Sequence, residues 1–233
     1  MVTQRPATPQ TAKTAKTPEG SDSAERVAAG IRTRIMGGEL PSGTPLREST
    51  LAADLGVSRN TLREGLRALV AEGLVTQELY KGAVVATITA EQVRDIYRAR
   101  RVLELQAVNA SALRSDAEVG CLATGVVEAE QAATAQRWRD VGTASLHFHQ
   151  ALVGLLASPL CDDFFRLLAA QLRLAWGAAR DEREFQCTWP ERDRDLYTLL
   201  RTGYVAHARG VLSEYLDDSE AQVLAALRTA TRS

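Results

Sequence analysis

The segment Leu51–Leu69, LAADLGVSRNTLREGLRAL, constrains this chain more than any other. Leu51, Leu55, Val57, Leu62 and Leu66 fall where two short helices pack against each other, and Ala52 is small where they cross. Gly56 sits at the bend, where a positive φ is cheap only for glycine. Ser58 is placed to cap the second helix by accepting from a backbone N–H. That helix opens with Arg59, Asn60, Thr61 and Arg63. These residue types pair with guanine, adenine and phosphate when a helix N-terminus enters the major groove. Arg59, Arg63 and Arg67 recur every four residues and share a face. The spacing predicts a helix-turn-helix and sequence-selective DNA binding. A solvated helix pair in some other helical protein has the same spacing, so the flanks must decide.

Those flanks read as a winged module. Asp22–Gly38 has helical periodicity at Val27, Ile31 and Ile35, with Asp22 and Glu25 at capping-box spacing. Gly37-Gly38 ends that helix, and Pro41-Ser42-Gly43-Thr44-Pro45 is a loop. Glu72-Gly73 stops the second helix of the pair. Leu74–Leu79 and Ala83–Ile88 then read as short strands around Tyr80-Lys81-Gly82, a cationic hairpin able to touch the neighbouring minor groove or backbone.

The run GELPSGTPLRESTLAADLGVSRNTLREGLRALVAEGLVTQELYKGAVV resembles the DNA-binding domain of the GntR family of bacterial transcription regulators. Its core, VSRNTLREGLRALVAEGLV, is close to the family pattern, and the likeness covers residues 23–90. Carried over position by position, the resemblance implicates Arg47, Ser58, Arg59, Asn60, Thr61, Arg63, Lys81 and Gly82 in DNA contact. Many relatives have Thr-Pro where this chain has Asn60-Thr61, a departure expected to alter operator preference.

Composition sets looser bounds. The chain has 233 residues, enough for two compact domains or one large one, and 45% are hydrophobic. The formal net charge is −1. Residues 1–90 carry 11 Lys and Arg against 9 Asp and Glu, a balance of +2, which leaves −3 for the rest. DNA affinity must therefore come from local placement of charge, which argues against sequence-blind binding. No stretch approaches the ~20 apolar residues of a membrane span, and the N-terminus lacks an apolar signal region. Residues 1–21, rich in Thr, Ala, Gln and Pro, read as a disordered tail. Cys121, Cys161 and Cys187 are odd in number and widely spaced, which suits buried free thiols in a reducing cytoplasm.

Beyond Thr89 the strand signals vanish. Thr89 and Gln92 form a capping-box start, and helical periodicity runs near 90–114, 116–135, 137–157, 160–182, 189–202 and 204–229, with 183–188 hardest to assign. The expected fold is mainly α: a winged helix-turn-helix over 22–89, then an all-α bundle of six or seven helices over 90–229. Several polar residues fall on inward faces. Arg100 lies within about 40° of Val93, Ile96 and Ala107 on the helical wheel. Arg98 and Arg101 flank it on the wetter side. His149 shares a face with Leu146, Val153 and Leu156, and His147 points oppositely. Asp193 lies near Leu196 and Leu200, and Tyr215 lines up with Ala208, Val211 and Leu212. A buried Arg100 needs an anionic partner. Glu104, one turn on, and a ligand carboxylate are both open on spacing.

This half resembles the FCD ligand-binding domain of the FadR-type branch of the same family, over residues 90–220. YRARRVLELQAVNASAL is similar to its first helix, FHQALVGLLASPL to its Phe-His helix, and LLRTGYVAHARGVLSEYL to its last two helices. The resemblance implies effector contact at Arg100, His149, Asp193 and Tyr215, with an acidic small molecule at Arg100. Many members of the branch hold a divalent metal with one Asp and three His. Here those positions read Ser145, His149, Asp193 and Tyr215, so only His149 is retained. This degenerate set predicts a metal-free polar pocket with no cofactor.

The leading expectation is an effector-controlled repressor, a cytoplasmic homodimer on a palindromic double-stranded operator, with no membrane partner. An architectural DNA binder with a degenerate effector domain is the second reading. An enzyme with a DNA-binding appendage is the third, weakened because no nucleophile elbow, phosphate-cradling Gly-rich loop or two-His helix motif is present.

Overall fold

The computed structural model describes residues 19–179 and 181–231. Its first unit is α1 (Glu19–Met36), α2 (Glu48–Asp54), α3 (Arg59–Ala71), β1 (Val75–Glu78) and β2 (Gly82–Val85). The expected tail falls mostly on residues 1–18, outside the described residues. Helix α1 already includes Glu19, so Asp22 lies within it and does not open it. Val27, Ile31 and Ile35 are buried, as their periodicity predicted. Val27 packs on α3 at Gly65, where an added Cβ would lie 2.7 Å from Val27 Cγ1 and 2.9 Å from the Ala24 carbonyl. Arg32 of α1 clamps Glu72 at the end of α3 through two hydrogen bonds of 2.9 and 2.6 Å.

Strands β1 and β2 pair antiparallel, Val75 opposite Val85 through Glu78 opposite Gly82. The 41–45 loop does more than connect. Gly43 N–H donates to the Val85 carbonyl (2.9 Å), Val85 N–H to Thr44 (2.9 Å) and Leu46 N–H to Ala83 (2.8 Å). The wing thus has a third, irregular edge, through a bridge between Pro45 and Val84.

The second unit comprises α4 (Ala90–Ser111), α5 (Asp116–Gly120), α6 (Ala123–Thr134), α7 (Trp138–Gly154), α8 (Pro159–Trp176), α9 (Glu182–Gln186), α10 (Trp189–Arg201) and α11 (Val205–Thr231). Among the described residues it is therefore six longer helices and two single turns. The Thr89–Gln92 capping box opens α4, with both reciprocal bonds made. The stretch expected as one helix over 116–135 breaks at Cys121-Leu122, and the one expected over 160–182 stops at Trp176. The 183–188 segment contains the short α9, capped by Asp181. Helix α4 lies along α11, joined by Tyr97 to Ser219 (2.5 Å) and by Arg101 to Asp217 and Glu220. The three cysteines are free, but Cys121 and Cys187 are exposed and Cys161 half-buried, so the expectation of buried thiols is corrected. Among the described residues no helix is long and apolar enough to cross a membrane.

Buried side chains run continuously from the winged unit into the bundle. The join is made chiefly by α8. Gln171 donates to the Glu72 carbonyl (2.7 Å), Arg173 to that of Met36 (3.2 Å), and Ser42 to that of Leu174 (2.9 Å).

Candidate nucleic-acid interface and buried polar cluster

Gly56 takes φ +63° and turns the chain between α2 and α3, and Ser58 Oγ accepts from Thr61 N–H at 3.1 Å. The cap leaves the first turn of α3 at the surface. Arg59, Asn60, Arg63 and Arg67 are exposed and Thr61 half-buried. Asn60 donates to Glu64 (3.0 Å), and Arg63 reaches back to Glu48 of α2 (2.8 Å). Arg47, the residue preceding α2, is exposed as well. At the wing, Lys81 pairs with Glu78 at 2.8 Å, and Gly82 adopts φ +76°. Tyr80 forms the hairpin tip at φ +69° and is 98% exposed. That residue carried no site signal in the sequence beyond its place in a turn.

In the bundle, Arg100 is only 2% exposed, and Glu104, His149, Asp193 and Tyr215 are also buried. Four helices therefore bring the four expected residues inward: α4, α7, α10 and α11. His147, Arg98 and Arg101 stay at or near the surface, as predicted. The open question about Arg100 resolves to Glu104. Arg100 Nε donates to Glu104 Oε1 at 2.6 Å, and the guanidinium lies 5.0 Å from the Tyr97 ring centre. The other oxygen of Glu104 meets His149 Nδ1 at 2.5 Å. His149 Nε2 is 3.6 Å from Asp193 Oδ1, within ion-pair range but too long for a hydrogen bond. Both Asp193 oxygens and His149 Nε2 are buried without a hydrogen-bond partner. Tyr215 and Ser145 share a hydroxyl contact of 3.2 Å.

These contacts set the charges. Burial opposes ionisation of Glu104, yet the charges of Arg100 and His149 hold its carboxyl below the usual range. Burial likewise opposes protonation of His149, but Glu104 and Asp193 raise its pKa. Burial, reinforced by Asp193, pushes the Tyr215 hydroxyl well up, so it stays protonated. Arg100, Glu104, His149 and Asp193 form a buried polar quartet, and Arg100 and His149, with Ser145 and Tyr215, line a cavity of about 10 Å³, the room of a single water.

The family model "Bacterial regulatory proteins, gntR family" matches residues 23–85, and that of the FCD domain matches 95–218. A crystal structure of a GntR transcriptional regulator from Rhodococcus sp. RHA1 is 33% identical, covers 88% of this chain and 98% of its own, and superposes with a TM-score of 0.80. The chain belongs to the GntR family. Within it, the gluconate operon transcriptional repressor of Bacillus subtilis (strain 168) is 43% identical over 79 residues, 34% of this chain and 32% of the repressor. The Nta operon transcriptional regulator of Aminobacter aminovorans is 31% identical over 134 residues, 57% of this chain and 63% of that one. The chain thus spans about a third of the gluconate repressor's length. The E. coli protein McbR/YncC, 20% identical over 86% of this chain and 96% of its own, shares the fold with a TM-score of 0.75.

The metal implied by the FCD branch does not fit this GntR member's donor set. Two hydroxyls that keep their protons stand at two of the four positions, and the Arg100 guanidinium works against further positive charge beside His149. Among the described residues no group of three or more His, Cys, Asp and Glu has metal-holding geometry.

Proposed function

We propose that this GntR-family chain is a cytoplasmic transcription regulator, most simply a repressor. It binds a palindromic double-stranded operator as a homodimer and is released by a small acidic effector in its helical domain. The supporting observation is the exposed cationic edge of Arg47, Arg59, Arg63 and Lys81 around the capped start of α3, in a chain of this family. We place the winged unit at 22–89, the effector and dimerisation unit at 90–229, and the tail before them.

On DNA, the N-terminal turn of α3 enters the major groove. Arg59, Asn60 and Arg63 read base edges, Ser58 and Thr61 meet phosphates, and Arg47 and the Lys81-Gly82 wing follow the backbone. Arg63 and Lys81 exchange Glu48 and Glu78 for the nucleic acid. Exposed pairs of this kind are worth only about 0–1 kcal/mol, so the exchange is cheap.

The effector reading follows from how Glu104 divides its oxygens. A carboxylate taking over Arg100 leaves Glu104 bound to protonated His149, so neither buried cation is stranded. Asp193 and Tyr215 then face the incoming molecule. Because the cavity is so small, entry requires the surrounding helices to part, and this movement is what shifts the dimer away from the operator geometry. We read no catalytic role into the cluster, since Arg100, Glu104 and His149 Nδ1 are engaged with one another.

One observation favours a second reading, a constitutive DNA binder with a closed effector domain: the cluster has room for about one water. Operator binding measured while titrating small mono- and dicarboxylic acids separates the two. Release by one acid, absent in Arg100→Ala, supports effector control. Binding indifferent to every acid supports the constitutive reading.

A further inference from the structure

A second buried arginine lies well apart from that quartet in the chemistry it displays. Arg173 of α8 is 8% exposed and makes one hydrogen bond, from Nε to the Met36 carbonyl at 3.2 Å. Among the described residues no acceptor engages its terminal nitrogens and no carboxylate lies within ion-pair distance. Burial lowers its pKa to about 10, with Glu182 opposing that shift and Arg139 adding to it. The guanidinium stacks 5.3 Å from the Trp176 ring centre, and the Trp176 indole N–H is itself buried without an acceptor.

Both residues line a crevice of about 330 Å³ between the winged unit and the bundle. Leu40 and Pro41 form one wall, and Trp138, Trp176 and Phe185 the other. Two acids reach this crevice, and each has its own cation. Glu39 pairs with Arg34 at 3.2 Å, and Glu182 with Arg139 at 3.6 Å. The charge left over is that of Arg173. A buried guanidinium with free donors, an orphan indole N–H and aromatic walls are the features of a pocket that orients an anion by a few polar contacts and binds its body by apolar ones. Gly38 keeps the arrangement possible. It holds φ +70°, and an added Cβ would fall 2.2 Å from Arg173 Nη2.

We propose that this crevice is a second ligand site, taking a small aromatic carboxylate whose carboxyl group pairs with Arg173 and whose ring lies among Trp138, Trp176 and Phe185. A ligand there touches both units at once, against the end of α1 and the α8 residues that join them. It uses none of Arg100, Glu104, His149 or Asp193, so the proposal stands whether or not the chain regulates transcription. The two sites share Trp176, Phe185 and Gln186 as a common wall.

The test is titration of benzoate into the full chain, followed by calorimetry and by tryptophan emission, since Trp138 and Trp176 are two of its three tryptophans. Saturable binding of one benzoate per chain is expected, at least tenfold tighter than benzamide, which has the same shape without the charge. Arg173→Gln should weaken it at least tenfold, Arg173→Lys less, and Arg100→Gln under twofold. Hydrogen exchange on the unmodified chain should slow at the Glu39 and Leu40 amides when benzoate is present. Benzamide binding as tightly as benzoate overturns the proposal, as does loss of binding in Arg100→Gln with retention in Arg173→Gln. Absence of saturable binding by benzoate and phenylacetate up to about 10 mM also overturns it.

Discussion

Arg63 is the residue on which the proposed base contact turns. It is exposed, one turn into α3, and held only by Glu48. Replacing it with alanine removes a contact worth ~1–3 kcal/mol, or roughly ten- to a hundredfold in operator affinity. Circular dichroism should be unchanged, because nothing buried is lost. His149 makes a different kind of prediction. Its pKa is raised in the fold, against burial, by Glu104 and Asp193. Its stabilisation is therefore complete below the ordinary histidine value of about 6.5 and is lost as pH rises through the folded value. Glu104, held low, contributes the opposite window: stability present above the ordinary carboxylate range and lost in acid as pH falls through its folded value. The stability difference between the wild type and His149→Gln, measured by urea unfolding, should shrink as pH rises above the ordinary histidine value of about 6.5. A difference flat across that rise would mean that His149 is neutral in the fold.

At the scale of elements, the seam between α1 and α3 depends on the absence of a side chain at Gly65. Gly65→Ala forces a Cβ against Val27 and the Ala24 carbonyl, and should cost ~1–3 kcal/mol. A melting temperature unchanged by this substitution would contradict the close approach. The elements were legible where local chemistry names them. Ser58 and the Thr89–Gln92 pair announced two helix starts, and Gly56 and Gly73 announced turns that take φ +63° and +69°. All four expected pocket residues proved buried because helical periodicity is a local property. What stayed hidden depends on distant partners. The pairing of the 43–46 backbone with β2 leaves no side-chain trace, since it uses only main-chain groups. Arg173 gave no signal because its partner, the Met36 carbonyl, lies 137 positions away. The break between α5 and α6 has no proline, and the Gly120 beside it has no positive φ to mark it.

For the whole molecule, the issue is whether the α3 surface and the buried quartet belong to one device. A continuous core and the α8 contacts to Met36, Ser42 and Glu72 mean that a movement of the bundle cannot leave the winged unit untouched. In the proposed mechanism the effector acts by differential affinity for two dimer geometries. Arg100→Ala should then keep operator affinity within a fewfold while abolishing its response to the acid that releases the wild type. Induction unchanged in that variant would reduce Arg100 to a structural partner of Glu104. The most direct test of the central claim is selection of bound sequences from a random duplex pool by the full chain, followed by footprinting. The account predicts a two-fold symmetric sequence with half-sites about one helical turn apart, or a multiple of it, and loss of the footprint in Arg63→Ala. Enrichment of no sequence, or protection that survives Arg63→Ala undiminished, would contradict it.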